Sequence, residues 1–91
     1  MTDDEVKGTL AKAQAAKASG NLDEALKLVS QVLAARPQSV DANWTASWIL
    51  ASKQDTALAI GQFERTMKLG LDAKRLQAAK AAVKRLKARE E

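Results

Sequence analysis

The side chains of this 91-residue chain that could act in acid–base catalysis are its carboxylates, because it contains no cysteine and no histidine. Thiolate and imidazole chemistry, disulfides and most zinc sites are thereby excluded. Most of the 11 Asp and Glu residues stand at predicted helix starts, where capping and the helix dipole account for them. No phosphate-binding loop or metal-ligand spacing accompanies them. We therefore expect no catalytic residue, metal or cofactor, and the sequence does not indicate an enzyme.

A pair of tryptophans, Trp44 and Trp48, lies four residues apart on a predicted helix, so both rings occupy one face. Tryptophan is enriched at interface hot spots, where its truncation costs about 2 kcal/mol or more. The pair could therefore form a binding groove, in which case Trp48→Ala should remove binding with little loss of stability. Alternatively, it could fill the gap between the first, third and fifth helices, or form the seam of a homodimer.

The C-terminal segment of the chain is strongly basic, although the net charge of the whole is only +4. Residues 74–89 carry seven Lys or Arg and no acid, with Lys80, Lys84 and Lys87 on one helical face. These lysines could bind the phosphates of nucleic acid or anionic lipid. The lack of stacking aromatics or a second basic element disfavours nucleic acid. A solvated capping helix, with cations near its C-terminus, explains the same residues.

The elements that must position these residues are five helices, predicted from helical periodicity and the absence of alternating runs. Their ends are marked by capping and stop residues, and short connections make neighbouring helices antiparallel. The predicted N-caps are Thr2, Asn21, Ser39, Asp55 and Asp72, and the predicted stops are Gly20, Pro37 and Gly70.

The sequence also repeats internally, and the repeat pairs Ala25 with Ala59 and Val29 with Phe63 at one common interval. This pattern resembles the tetratricopeptide repeat, which has the same period, about 34 residues, and whose second helix carries A-x3-F followed by proline. Ala59 and Phe63 match that spacing, and Pro37 follows Val29 at the expected distance. The first helix of each repeat departs from the family pattern.

The resemblance implies a single domain, 1–91, folded as a right-handed antiparallel helix-hairpin array. Repeat 1 would span 3–37, repeat 2 would span 39–71, and a basic capping helix would span 72–91. Because two repeats are at the lower limit for stable stacking, self-association into a homo-oligomer is an open alternative.

The family's function implies a protein–protein interaction module, an adaptor or scaffold, that binds a peptide or protein segment in a concave groove. By the resemblance, this groove would be centred on the two tryptophans and lined by Leu10, Gln14, Lys17, Trp44, Trp48, Ala51 and Arg75. Only Arg75 matches the carboxylate clamp of heat-shock co-chaperones. An extended or helical apolar segment therefore suits the groove better.

No stretch of the sequence approaches the roughly 20 apolar residues of a membrane span. The N-terminus is acidic, whereas a secretory signal begins with a basic region followed by an apolar one. We therefore expect a soluble cytoplasmic protein, with a periplasmic location left open.

Overall fold

The computed structural model describes residues 1–90 as five helices without any strand. The helices are α1 (Asp3–Ala18), α2 (Leu22–Ala35), α3 (Val40–Ser52), α4 (Thr56–Leu69) and α5 (Ala73–Glu90). Each packs against the next along the chain, and α1 also contacts α3. The predicted all-α array of five helices is confirmed. Glu91, at which the predicted capping helix ends, lies outside the described residues.

Three helix starts are capped by the predicted side chains. The Thr2 hydroxyl accepts the backbone N–H of Glu5 at 3.2 Å, and Glu5 accepts the Thr2 N–H in return at 3.0 Å. Ser39 Oγ and Asp72 Oδ1 likewise accept the N–H three residues on, at 3.1 and 2.8 Å. These bonds satisfy amide groups that would otherwise lack a partner at the start of a helix.

The prediction for the other two caps is half wrong. Asn21 and Asp55 occupy the N-cap positions of α2 and α4, but their side chains make no capping hydrogen bond. Their ψ angles are 72° and 73°, whereas Thr2 and Ser39 are extended, with ψ of 167° and 116°. The N-cap backbone is therefore turned away from the extended geometry that brings a side chain to the N2 or N3 amide.

The two turns within the helix hairpins make the same hydrogen bonds at equivalent positions of the sequence repeat. In the first, the N–H groups of residues 19, 20 and 21 donate to the carbonyls of 15, 17 and 16. In the second, 53, 54 and 55 donate to 49, 51 and 50. Gly20 has φ of +85° in the first turn, and Gln54 has φ of +61° at the equivalent position. The period of the sequence is therefore also a period of the backbone.

The core consists of two clusters joined by α3. Small and aliphatic residues fill the space between α1, α2 and α3, while Phe63 and the apolar face of α5 fill the space beside α4. From α3, Ala42, Ala46 and Ile49 enter the first cluster and Leu50 enters the second. Helix α3 therefore packs against the protein core through two apolar faces.

A polar seam, which the sequence did not predict, joins α3 to α4. The Asn43 side chain is 1% exposed, donates to the Pro37 carbonyl at 3.0 Å and accepts from Gln62 Nε2 at 2.6 Å. One turn further along α3, the Ser47 hydroxyl lies 3.3 Å from that of Thr66. Among the described residues, every buried side-chain nitrogen and oxygen has a hydrogen-bond partner, so the hydrogen bonds of this seam offset the cost of burying its polar groups while they fix the register of the hairpin.

Candidate functional site

The tryptophans of α3 rest on a single aromatic ring of α4. Phe63 is fully buried, and its ring centroid lies 4.9 Å from that of Trp48 and 6.2 Å from that of Trp44. The two indoles are 5.7 Å apart, and all three pairs are edge-to-face. This arrangement contributes about 0.5–1.5 kcal/mol per pair beyond area burial. Because both indoles are half-buried, each packs against Phe63 with one part of its surface and exposes another part to solvent.

A first cleft opens between α1 and α3 beside both indoles, with a volume of about 280 Å³. It is lined by Gln14, Lys17, Ala18, Trp44, Thr45 and Trp48. A second cleft, of about 210 Å³, opens between α3 and α5 on the other side of Trp48. It is lined by Trp48, Ala51, Ser52, Ala82, Arg85, Leu86 and Arg89. Together the two clefts are called the tryptophan groove below, and Trp48 is the residue that lines both.

Most of the predicted groove residues meet in these clefts. Gln14 and Lys17, from the first helix, lie beside both tryptophans, and Ala51 lines the second cleft. The sequence repeat makes Gln14 and Lys17 of α1 equivalent to groove positions on α3. It therefore predicted that they would lie beside the tryptophans.

Two predicted residues do not line the tryptophan groove. Leu10 is half-buried and packs against the core cluster between α1, α2 and α3. The Arg75 guanidinium is held by two carboxylates, with Nη1 3.2 Å from Asp41 Oδ1 and Nε 3.3 Å from Asp72 Oδ2. These contacts keep Arg75 at the N-terminal ends of α3 and α5, whereas the groove lies toward their C-terminal halves.

The packing of the tryptophans combines two of the three interpretations open from the sequence. Both rings pack against the core cluster that contains Phe63, as a structural role requires, and both line a cleft, as a groove requires. The expectation that Trp48→Ala would leave stability nearly unchanged does not fit this geometry, because the substitution would remove the ring closest to Phe63.

Two arginines of the basic C-terminal segment line the groove although they were not among its predicted residues. Arg85 and Arg89 are one helical turn apart at the edge of the second cleft. The sequence offered one indication of this position: both arginines are close in sequence to Leu86, which lies on the buried face of α5. The sequence could not show which helix they would face, because that depends on how α5 packs beside α3.

Among the described residues, the charged side chains that line the tryptophan groove are all cationic. Lys17 lies in the first cleft and Arg85 and Arg89 in the second, while neither cleft is lined by an Asp or Glu of the described chain. None of the ion pairs formed within residues 1–90 involves these three cations. The groove therefore combines an aromatic floor with cationic edges.

The predicted lysine face of α5 is a different surface. Lys80, Lys84 and Lys87 are exposed and none of them lines the tryptophan groove. Lys87 Nζ lies 3.6 Å from Glu64 Oε2 of α4. An exposed pair of this kind stabilises little, but it partly neutralises one of the three lysines.

A larger open cleft, of about 630 Å³, lies where the turn between α2 and α3 meets α1. Arg36, which lines this cleft, donates to the Met1 carbonyl at 2.8 Å and lies 3.5 Å from Asp3 Oδ1. The cleft is lined by Val6, Ala35, Arg36, Pro37, Gln38 and Ser39, without an aromatic ring. Because Arg36 is already paired and none of the described residues that line this cleft is an aromatic anchor, we regard the tryptophan groove as the better candidate.

The carboxylates with altered acidity lie at helix starts, outside the groove. The pKa of Asp72 is lowered by the Arg75 backbone N–H and then by its guanidinium, and the pKa of Glu5 by hydrogen bonds from Thr2. The ion pair with Lys53 lowers the pKa of Asp23. Capping and surface pairing account for all three shifts.

In the part of the chain that the structure describes, no three His, Cys, Asp or Glu side chains cluster as metal ligands would. Nor do residues 1–90 form any helix with the length and apolar character needed to cross a membrane. The chain matches no protein-family model, and no curated protein or solved structure shows significant similarity to it.

Proposed function

We propose that this chain is a tetratricopeptide-like protein–protein interaction module, an adaptor or scaffold, that binds a peptide or protein segment in the tryptophan groove. The observation that carries the proposal is the position of Trp48, half-buried on Phe63 and exposed to a cleft on each side. A ring fixed in this way loses little conformational freedom when a partner covers it, so its burial contributes more fully to affinity.

The dimensions of the groove favour a segment of polypeptide over a small-molecule ligand. Pockets for drug-sized molecules and cofactors usually have volumes of about 300–1,000 Å³, whereas the two clefts measure about 280 and 210 Å³. Each therefore suits one or two side chains. A segment that crosses Trp48 would place successive side chains in both clefts.

The family assignment is supported by the agreement between the sequence period and the backbone. The two hairpin turns make the same hydrogen bonds one sequence period apart, and the A-x3-F positions of both repeats, Ala25 with Val29 and Ala59 with Phe63, are fully buried. We expect the module to act in the cytoplasm, because a chain without cysteine needs no oxidising compartment.

A direct test selects binders from a displayed library of random peptides and maps them on the labelled protein by NMR. We expect selected peptides to shift the indole N–H resonances of Trp44 and Trp48 while leaving the amides around Lys80 and Lys84 unchanged. Peptides that shift only the lysine face would contradict the proposal and favour an anion-binding α5.

Acrylamide quenching of tryptophan emission across a dilution series tests the same surface without a ligand. An open groove predicts partial, concentration-independent quenching from two half-buried rings. Protection that disappears on dilution, together with a concentration-dependent mass, would replace the groove by a homodimer seam.

A further inference from the structure

The cations of the tryptophan groove lie on both sides of its central ring. Lys17, from α1, lines the first cleft, and Arg85 and Arg89, from α5, line the second, while Trp48 lines both. An occupant seated on Trp48 would therefore meet positive charge in each direction. The acidic residues of the described chain lie at helix starts, on α4 or at the end of α5, and none lines either cleft.

Within residues 1–90, the three groove cations form none of the ion pairs that Arg36, Arg75 and Lys87 form. Arg36 and Arg75 are held by carboxylates at 3.5 Å or less, and Lys87 pairs with Glu64. No carboxylate within residues 1–90 lies within ion-pair distance of Lys17, Arg85 or Arg89. A guanidinium binds carboxylates through paired, charge-assisted hydrogen bonds. The two arginines can therefore bind carboxylates of a partner without first breaking an ion pair to any residue of 1–90.

We infer that the occupant of the groove is an acidic protein segment, in which an apolar anchor residue is flanked on both sides by Asp or Glu. This inference rests on the proposed function and specifies the chemistry of the partner. The anchor packs on Trp48, one flanking carboxylate pairs with Arg85 and Arg89, and the other with Lys17. The apolar contact supplies most of the affinity, and the charges set the specificity and orientation of the segment.

Charge complementarity and cleft size together favour an acidic polypeptide over other anions. A nucleic acid or lipid surface would be drawn first to the exposed Lys80 and Lys84, which lie outside the groove. Clefts of about 210 and 280 Å³ accept side chains, and apolar side chains flanked by carboxylates fit both the floor and the edges.

The test selects peptides on the unaltered protein and compares their binding to it with their binding to two variants. The arginine variant carries Arg85→Gln and Arg89→Gln, and the lysine variant carries Lys80→Gln and Lys84→Gln. The last two have the same net charge, and all four altered side chains are exposed. Circular dichroism and thermal melts check that both variants remain folded.

We expect peptides selected on the unaltered protein to be enriched in Asp and Glu on both sides of an apolar residue. Their binding to the arginine variant should fall by about tenfold to a hundredfold, as loss of charge-assisted hydrogen bonds predicts. Binding to the lysine variant should change by less than about twofold, as expected for charges outside the contact. Replacing both arginines by lysine should recover only part of the affinity, because the paired geometry is lost.

The outcomes separate this inference from the proposed function. Peptides that shift the Trp48 indole resonance but show no acidic enrichment, and that bind the arginine variant equally well, would overturn the inference and leave the groove intact. If no selected peptide shifts that resonance, both the proposed function and this inference are refuted. Stronger losses in the lysine variant, or binding of anionic vesicles or single-stranded DNA that the lysine variant abolishes, would also overturn the inference.

Discussion

Truncation of Trp48 to alanine should destabilise the fold as well as remove the centre of the groove. Removing a buried aromatic side chain costs about 3–5 kcal/mol. Trp48 is half-buried, so about half of that applies, and its edge-to-face contact with the buried ring of Phe63, at 4.9 Å, adds about 0.5–1.5 kcal/mol. We expect the free energy of unfolding to fall by about 2–4 kcal/mol.

This loss is large for a chain of 91 residues, whose total stability should be about 5–14 kcal/mol. The melting temperature should fall by on the order of 10–30 °C, because about 1 kcal/mol corresponds to about 4–8 °C at this size. Trp44→Ala should cost less than Trp48→Ala, since the Trp44 ring lies farther from Phe63, at 6.2 Å.

The measurement is urea unfolding followed by far-ultraviolet circular dichroism, because the substitution itself alters tryptophan fluorescence. Leu58→Ala is the matched control, since this side chain is 59% exposed and its truncation should change stability by no more than about 0.5 kcal/mol. A loss in Trp48→Ala as small as in the control would refute the packing argument and leave Trp48 as a surface residue only.

Three further predictions concern the framework of the groove. Gln54→Gly should raise the free energy of unfolding by about 0.5–1 kcal/mol, because glycine adopts the positive φ of this position without strain. Gly20→Ala should lower the free energy of unfolding by a similar amount. Urea midpoints that do not move in opposite directions would contradict the equivalence of the two turns. Asn43→Leu should cost about 2–4 kcal/mol in the same assay, because three side-chain hydrogen bonds are lost in a buried seam, and an unchanged midpoint would show that the seam adds nothing. The pKa of Asp72 is depressed in the folded state, so its contribution to stability is present above the ordinary value of 3.8 and is lost as the pH falls through the lowered pKa. Asp72→Asn should flatten the fall of melting temperature over that range, and parallel curves would count against the capping of α5 by Asp72.

The helix boundaries could be predicted because they depend on bonds between residues close in sequence. Thr2, Ser39 and Asp72 cap their helices as predicted, and Gly20 and Gly70 have the positive φ that glycine readily adopts just after a helix. Asn21 and Asp55 show where this local reasoning fails. Residue type gave the right N-cap position, but the tight hairpin turn fixed a ψ angle that keeps the side chain from the helix amides.

The candidate site was only partly predictable. The four-residue spacing of Trp44 and Trp48 placed both rings on one face, and the sequence period brought Gln14 and Lys17 beside them. The sequence alone could not show that Phe63 of α4 would lie beneath both rings, because that contact depends on how two helices pack. For the same reason, the sequence could not decide whether the tryptophans are core residues or groove residues. In the structure the half-buried rings are both, because they pack on the core and line a cleft.

The sequence by itself determined the number of helices, their ends and the repeat, since these follow from hydrogen bonds within a few residues and from a periodicity that the chain carries in its own spacing. Only the tertiary structure decided which charges meet the tryptophans. In the folded chain, Arg75 forms ion pairs with Asp41 and Asp72 and lies outside the groove, whereas Arg85 and Arg89 line the cleft beside Trp48. The physical reason is that an arginine on a helix can turn toward either neighbour, and the packing of α5 against α4 and beside α3 selects the neighbour it meets.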